Sequence, residues 1–293
     1  MPSLAVQRPM RGVMLCVTAL LMFACLDSIT KHLVAVYPAA LVGWMRYALH
    51  LLMMSALFAP RMGRSLFTMR RPALVLIRGA CLAPVTLFMA LAFRHMPQAE
   101  ATAVLFVSPF LVVLLARPIL GERIGAVRWF AVAAGFGGML LIVRPSAQLD
   151  WMGVGLVLAG AVCYALYLLL SRVLSSSDGT ITMLFYTALQ GTFILGLFLP
   201  WSWSGPQPSA LDVAFFVGIG LLGFIGHWLF TLAFRDAPAS LLAPISYAQL
   251  GWATLLGWLV FGQLPDRVSL LGIAIIMASG VAVALYGNRG RRN

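Results

Sequence analysis

Three charged side chains interrupt long apolar stretches of this 293-residue chain: Asp27, Arg46 and Glu100. A charge in apolar surroundings is costly, so it is expected to pair with another charge or to face a polar cavity. Asp27 and Arg46 fall at similar depths in the first two apolar stretches, which leaves two interpretations open. They form a structural ion pair, or they act as counter-ions for a charged small molecule, with Asp27 also able to serve as a proton site.

Glu100 also has two interpretations. It follows Pro97, a residue favoured in the first turn of a helix, and the helix dipole stabilises a carboxylate at that place. Its role is therefore either to cap this helix or to contact the ammonium group of a ligand.

Polar and aromatic side chains within the other apolar stretches are candidates for the wall of a ligand pocket. Tyr164 and Tyr167 lie on one face of a helix, and their hydroxyl groups need hydrogen-bond partners there. His227 has no charged neighbour in the sequence with which to pair. Core packing and contacts between helices are the alternative roles for such residues. The candidates for substrate binding are Phe88, Phe106, Tyr164, Tyr167, Gln190, His227, Trp228, Tyr247 and Gln249.

The sequence does not contain the residue patterns of an enzyme. The histidines His32, His50, His95 and His227 are scattered over different apolar stretches, and there is no HExxH, GxSxG or phosphate-binding motif. A dinucleotide-type glycine pattern runs from residue 218 to 223, but no strand precedes it and no acidic residue follows at the required spacing. We therefore expect no catalytic residue, no metal and no cofactor. His50 is predicted to be a hydrogen-bonded core residue.

The elements that position these residues are predicted to be membrane-spanning helices. The chain is 62% hydrophobic and only 10% charged, with a mean hydropathy of +0.97. About 20 apolar helical residues cross a bilayer, and the alternating pattern of a membrane barrel is absent. This indicates an all-α polytopic membrane protein with ten transmembrane helices. The predicted spans are roughly 11–31, 38–58, 72–95, 97–116, 126–144, 151–171, 180–200, 211–235, 238–261 and 268–287.

The basic residues indicate how these helices are oriented. With ten spans, 14 of the 20 Lys and Arg residues fall on the side of the N-terminus, four on the other side, and Arg46 and Arg78 within spans. The positive-inside rule then places both termini in the cytoplasm. The net charge of +12 is thus explained by topology and by contact with lipid headgroups, so nucleic acid is not an expected partner. Arg78 is predicted to extend towards the headgroups, with a clamp on a carboxylate as the alternative.

An internal repeat divides the chain into two halves, 1–145 and 146–293. A shift of 141 residues carries the segment 91–94, Leu-Ala-Phe-Arg, onto the identical segment 232–235, and carries Gly12-Val13 onto Gly153-Val154. It also relates Phe106 to Tyr247, each of which lies near a proline. With five helices in each half, the second half enters the membrane inverted. Inverted repeats are typical of secondary transporters with a site near the midplane and alternating access, although some channels also have them.

The chain is similar to the EamA-type drug/metabolite transporter superfamily. The resemblance lies in the two five-helix halves, in Gly121-Glu122 at the end of the fourth span and in the run from Ala165-Leu166-Tyr167 to Ser171-Arg172. One departure is Gln263, which stands where the first half has Glu122. Within this superfamily the chain most resembles the YddG-type exporters of aromatic amino acids.

The resemblance implies a function. It implies a secondary transporter of the bacterial inner membrane that exports aromatic and other neutral amino acids. Efflux of drugs or aromatic cations is the alternative, since apolar and aromatic walls also suit a cation held against a ring. Proton coupling, the resting conformation and the oligomeric state are left open.

Overall fold

The computed structural model describes residues 9–120, 126–143, 150–174, 177–202, 206–237, 242 and 245–286. These residues are helical almost throughout and contain no strand, so the predicted all-α class is confirmed for the described ranges. The predicted boundary between residues 145 and 146 lies outside the described residues, as do Gly121-Glu122 and Pro244.

The helices follow the predicted apolar stretches in order. In the first half they are α1 (Pro9–Val34), α2 (Ala39–Met62), α3 (Pro72–Ala92), α4 (Gln98–Leu105), α5 (Ser108–Leu120) and α6 (Ala126–Val143). A 3₁₀ turn, Gly63–Phe67, follows α2. In the second half they are α7 (Trp151–Leu174), α8 (Thr180–Gly196), the short α9 (Leu199–Ser202), α10 (Ala210–Asp236), α11 (Ala248–Phe261) and α12 (Arg267–Tyr286).

Local chemistry explains several of these boundaries. Pro72 occupies the first turn of α3, where its missing N–H group costs nothing. Ser209 and Asp212 form a reciprocal capping box at the start of α10. Gly262 ends α11 with a φ of 65°, a left-handed conformation that glycine adopts without steric cost.

Within the described ranges, five helices are long and apolar enough to cross a membrane: Pro9–Val34, Ala39–Phe67, Pro72–Ala92, Trp151–Leu174 and Ala210–Ala233. The remaining predicted spans contain shorter apolar helical segments of 10–17 residues, namely Gln98–Val112, Val132–Val143, Thr180–Gly196, Ala248–Phe261 and Arg267–Ala282. Every predicted span therefore contains a helix. The number of complete crossings and the side on which the termini lie stay predictions.

The fourth predicted span is broken in the middle. Helix α4 ends at Leu105 and α5 begins at Ser108, whose hydroxyl group donates a hydrogen bond to the Leu105 carbonyl (2.7 Å). Pro109 follows directly, and a proline cannot donate the backbone hydrogen bond that would continue the helix. In the second half, a turn at Ser246 and Tyr247 precedes α11. The shift of 141 residues carries Phe106, which lies in the first break, onto Tyr247, so a turn interrupts the described helices at an overlapping position in each half.

The two halves interlock, and most helix packing occurs between them. Helix α1 packs along α10, and α3 packs along α7, which are equivalent pairs under the repeat. Helix α2 packs against α8, and α6 against α12, so each of these helices contacts its own counterpart. An exchange of the halves thus leaves the packing pattern unchanged, as expected for two units related by a pseudo-twofold axis.

The crossing of α6 and α12 brings two backbones into contact. A Cβ atom added at Gly138 would lie 2.8 Å from the carbonyl oxygen of Gly272, and one added at Gly272 would lie 2.5 Å from the carbonyl oxygen of Gly138. Only glycine permits this approach, because backbone atoms cannot rotate away.

Arg78 joins three helices from inside the protein. Its side chain is only 5% exposed. The guanidinium donates hydrogen bonds to Ser171 Oγ (2.6 Å), Thr187 Oγ1 (2.9 Å), the Met183 carbonyl (3.2 Å) and Tyr167 Oη (2.7 Å). It also lies 4.3 Å from the centroid of the Tyr167 ring. The prediction that Arg78 extends to the headgroups is wrong, because oxygen atoms of α7 and α8 satisfy the guanidinium within the protein.

The glycine crossing predicts a difference between two neighbouring alanine variants. Gly138→Ala is expected to lower the free energy of unfolding by about 1–3 kcal/mol, because its methyl group overlaps the backbone of α12. Gly137→Ala is the control, since nothing lies within 4 Å of a Cβ atom at that position. Thermal unfolding of both variants in detergent measures the difference, and equal midpoints would contradict the close crossing.

The Arg78 cluster predicts a difference between two tyrosines. Tyr167→Phe removes an acceptor from the guanidinium and is expected to cost about 1.5–3 kcal/mol of unfolding free energy, the usual value of a hydrogen bond to a charged group. Tyr164→Phe is the control: its ring stacks on Tyr167 at 5.8 Å, and its hydroxyl group has no hydrogen-bond partner in the described structure. Chemical unfolding that finds both variants equally stable would show that Arg78 does not depend on Tyr167.

Candidate functional site

Asp27 and Arg46 lie in one polar region without forming a direct ion pair. The Asp27 carboxylate, on α1, is within hydrogen-bonding reach of the Gln249 amide on α11 and interacts electrostatically with Arg46 on α2. The ion pairs found in the described ranges join Arg11 with Asp236 and His95 with Asp150 instead. Asp27 is surrounded by protein, yet it keeps accessible surface. Asp27 is thus half-buried among the helices.

Arg46 has no hydrogen-bond partner among the described residues. The nearest aromatic ring is that of Tyr47, whose centroid lies 5.7 Å from the Arg46 Cζ. The position of Gly223 on α10 lies beside the guanidinium: a Cβ atom there would be 3.8 Å from Arg46 Nε. An arginine carries five N–H donors. Since the protein satisfies none of them here, the guanidinium is available to a ligand or to water.

Two histidines lie beside Arg46. The rings of His50 and His227 are 5.7 Å apart between centroids, and both residues interact electrostatically with Arg46. His50 is buried, and its Nε2 atom has no hydrogen-bond partner. The sequence predicts a hydrogen-bonded core residue at this position; His50 is in the core, but its Nε2 atom is not hydrogen-bonded. Its spacing of four residues after Arg46, on the same face of a helix, was the signal for a shared site.

An aromatic wall adjoins the charged region. The Tyr164 hydroxyl group interacts electrostatically with Asp27, Arg46 and Arg78, and its ring lies nearly parallel to that of Tyr167. Phe23 of α1 contacts the His227 ring, with 4.9 Å between centroids. Phe23 was absent from the candidates because phenylalanine in an apolar helix gives no distinguishing signal.

Phe106 and Tyr247 are in direct contact, with ring centroids 5.2 Å apart. They are the two residues that border the helix breaks, and the repeat relates them to each other. Residues that exchange places and touch must lie on the axis that relates the halves. The Tyr247 ring also fills the space beside Gly280 of α12.

Three other candidates make their described contacts with other side chains and helices. Trp228 packs against Phe58 (4.8 Å) and Phe224 (6.2 Å) in a separate apolar cluster. Phe88 lies at the crossing of α3 and α7, beside Gly160. Gln190 of α8 lies against Gly79 of α3, and its Oε1 atom is buried without a hydrogen-bond partner.

Glu100 belongs to a second polar group near the end of α1. It is buried, and it interacts electrostatically with Lys31 and Asp266. The Lys31 ammonium donates hydrogen bonds to Gln263 Oε1 (2.7 Å) and to the Met96 carbonyl (3.1 Å). The structure therefore groups Glu100 with Lys31 rather than with Arg46.

Both halves of the chain match a single protein family, the EamA-like transporter family. The matches cover residues 10–144 and 151–285. They are displaced by 141 residues, which confirms the repeat found in the sequence and the family resemblance.

Known proteins of similar sequence are transporters. The chain is 30% identical over 291 residues to a riboflavin transporter of Rhizobium johnstonii, covering 96% of this chain and 94% of that protein. It is 28% identical over 277 residues to the pseudopaline exporter CntI of Pseudomonas aeruginosa, covering 93% and 95%. A crystal structure with 21% identity shares the fold, with a TM-score of 0.68 over 95% of this chain and 98% of that one. The protein is a multi-pass membrane transporter that belongs to the EamA-like transporter family.

Proposed function

We propose that this transporter exports small amphipathic metabolites, foremost aromatic and other neutral amino acids, across the bacterial inner membrane. The observation that carries the proposal is the pair of opposite charges, Asp27 and Arg46, which interact electrostatically without forming a direct ion pair in the described structure. An amino acid presents an ammonium and a carboxylate group side by side. Separate counter-ions for the two groups match a zwitterion better than they match a neutral or singly charged molecule.

The aromatic residues beside these charges support a substrate with a ring. Tyr164 and Phe23 adjoin the region of Asp27, Arg46 and His227. Pockets for small molecules combine apolar and aromatic walls with a few polar groups that orient the ligand. Tyr164 and Gln249 are therefore assigned to the substrate site, together with His227. Tyr167 is assigned to the support of this wall.

Alternating access between two inverted halves is the proposed mechanism. The interlocked packing, the matching helix breaks and the contact of Phe106 with Tyr247 on the pseudo-twofold axis support it. Discontinuous helices near the midplane are a recurrent feature of transporters built from inverted repeats. An exchange of the conformations of the two halves then yields a state open to the opposite side. The distribution of basic residues supports cytoplasmic termini.

Riboflavin is a second candidate substrate, because relatives that match almost the whole chain include a riboflavin transporter. A flavin has a large planar ring that would stack on Tyr164, and its hydroxyl groups would suit Gln249 and Asp27. It has no carboxylate for Arg46, however, so the charges favour the amino acid.

Transport in proteoliposomes tests the proposal. Vesicles loaded with labelled phenylalanine should release it with saturable kinetics, because the substrate occupies a defined site. Tryptophan should inhibit this flux and aspartate should not, since the aromatic wall offers no partner for a second carboxylate. The measurement is made with and without an imposed pH gradient, which decides proton coupling.

Empty liposomes and separate loading with labelled riboflavin are the controls. Flux of riboflavin without flux of phenylalanine would replace the amino acid by the flavin. Flux of an aromatic cation alone would contradict both substrates.

Reporter fusions test the inverted arrangement. Alkaline phosphatase, which is active only outside the cytoplasm, should be active when it is fused at residue 148, after five predicted spans. It should be inactive at the C-terminus, after ten. A green fluorescent protein at the C-terminus should fluoresce as the complementary control. Equal phosphatase activity at both positions would contradict two halves of opposite orientation.

A further inference from the structure

The interior of the described helices contains more positive than negative charge. Arg46 and Arg78 are basic residues well inside these helices, and Asp27 is the acid that interacts electrostatically with Arg46. Glu100 lies with Lys31 in the other polar group. The acceptors around Arg78 are hydroxyl and carbonyl oxygens, which carry no charge. Two guanidinium groups, those of Arg46 and Arg78, therefore stand against one carboxylate, that of Asp27, and one positive charge has no counter-ion among these three residues.

The unbalanced charge has a definite place at Arg46. Arg78 is buried, and its guanidinium donates hydrogen bonds to four oxygen atoms. Arg46 is half-buried, and its guanidinium has no hydrogen-bond acceptor among the described residues. The position of Gly223 is surrounded by side chains: a Cβ atom there would lie 3.3 Å from Leu26 Cδ1, 3.8 Å from Arg46 Nε and 4.0 Å from His50 Nδ1, so the arginine and the histidine meet beside one glycine. The other ring nitrogen of His50 is buried without a partner. Among the described residues, neither the Arg46 guanidinium nor His50 Nε2 has a hydrogen-bond partner.

We propose that Arg46, with His50 beside it, is the binding point for the carboxylate of the substrate, so that the site selects ligands with an anionic group and rejects organic cations that lack one. This inference rests on the proposed function, which identifies the bound ligand as the transported substrate. The planar guanidinium forms two parallel hydrogen bonds with a carboxylate, which an ammonium group cannot accept. Arg78 adds a fixed positive charge that favours the same anion. Asp27 with Gln249 then faces the ammonium group of a zwitterion.

Three ligands that share a phenyl ring test this assignment: phenylalanine, 3-phenylpropionate, which keeps only the carboxylate, and phenethylamine, which keeps only the ammonium. Binding is measured by displacement of labelled phenylalanine from the purified protein in lipid nanodiscs, or by direct calorimetry. The unmodified protein should bind 3-phenylpropionate about tenfold more tightly than phenethylamine, because the guanidinium groups of Arg46 and Arg78 both favour an anion, whereas Asp27 is the one charged partner proposed for an ammonium group. Equal or reversed affinities would overturn the proposal without the need for any variant.

Arg46→Gln should reduce the preference for 3-phenylpropionate to within about twofold, and Arg46→Lys should restore part of it because the charge returns without the fork. Arg61→Gln is the matched control, since Arg61 lies exposed in the last turn of the same helix. The Arg61→Gln variant loses the same charge at an exposed position and should keep the full preference for 3-phenylpropionate. Thermal unfolding of each variant confirms that it is folded, and Arg46→Lys serves if Arg46→Gln is not.

The two proposals fail in different ways. Carboxylate preference that depends on Arg46, without flux of phenylalanine, would overturn amino-acid export and leave the anion site standing. Flux of phenylalanine with an undiminished carboxylate preference in Arg46→Gln would overturn the anion site and leave export standing.

Discussion

The structure depends on how charges are satisfied inside apolar helices. A charge in hydrocarbon must be compensated by protein groups or by a ligand. Arg78 is compensated by uncharged oxygen atoms of α7 and α8, which it holds together. Asp27 interacts with Gln249 and with Arg46. The two arginines differ in this respect. Arg78 has hydrogen-bond acceptors on α7 and α8, whereas Arg46 has none among the described residues.

The second constraint is that each half packs mainly on the other half. The faces of α1 and α3 are covered by α10 and α7, so a single half would expose large apolar surfaces between its helices. The crossing at Gly138 and Gly272 has no room for side chains. Both halves are interrupted at an overlapping position, and the residues at these interruptions, Phe106 and Tyr247, touch. A movement of one half is therefore coupled directly to the other.

The relatives indicate which part of the molecule decides the cargo. A riboflavin transporter and a pseudopaline exporter match this chain over nearly its whole length. The family scaffold thus serves proteins with different cargoes, and under the proposed function the side chains around Arg46 discriminate between them. Asp27, Arg46 and His50 have the charge and the open hydrogen-bonding capacity for that role. Trp228 packs with Phe58 and Phe224 in an apolar cluster.

The sequence by itself determined the helical class, the repeat at 141 residues and the intramembrane position of Asp27 and Arg46, because hydropathy and internal similarity are local properties of the chain. Only the tertiary structure decided which of these groups meet. Arg78 finds its acceptors on helices about 100 residues further along, and His50 meets His227 across two halves. Glu100 of α4 likewise interacts electrostatically with Lys31 of α1, which lies about 70 residues earlier in the chain. The partner of a buried side chain depends on which helix crosses its own, and at what height, and no local pattern encodes that crossing.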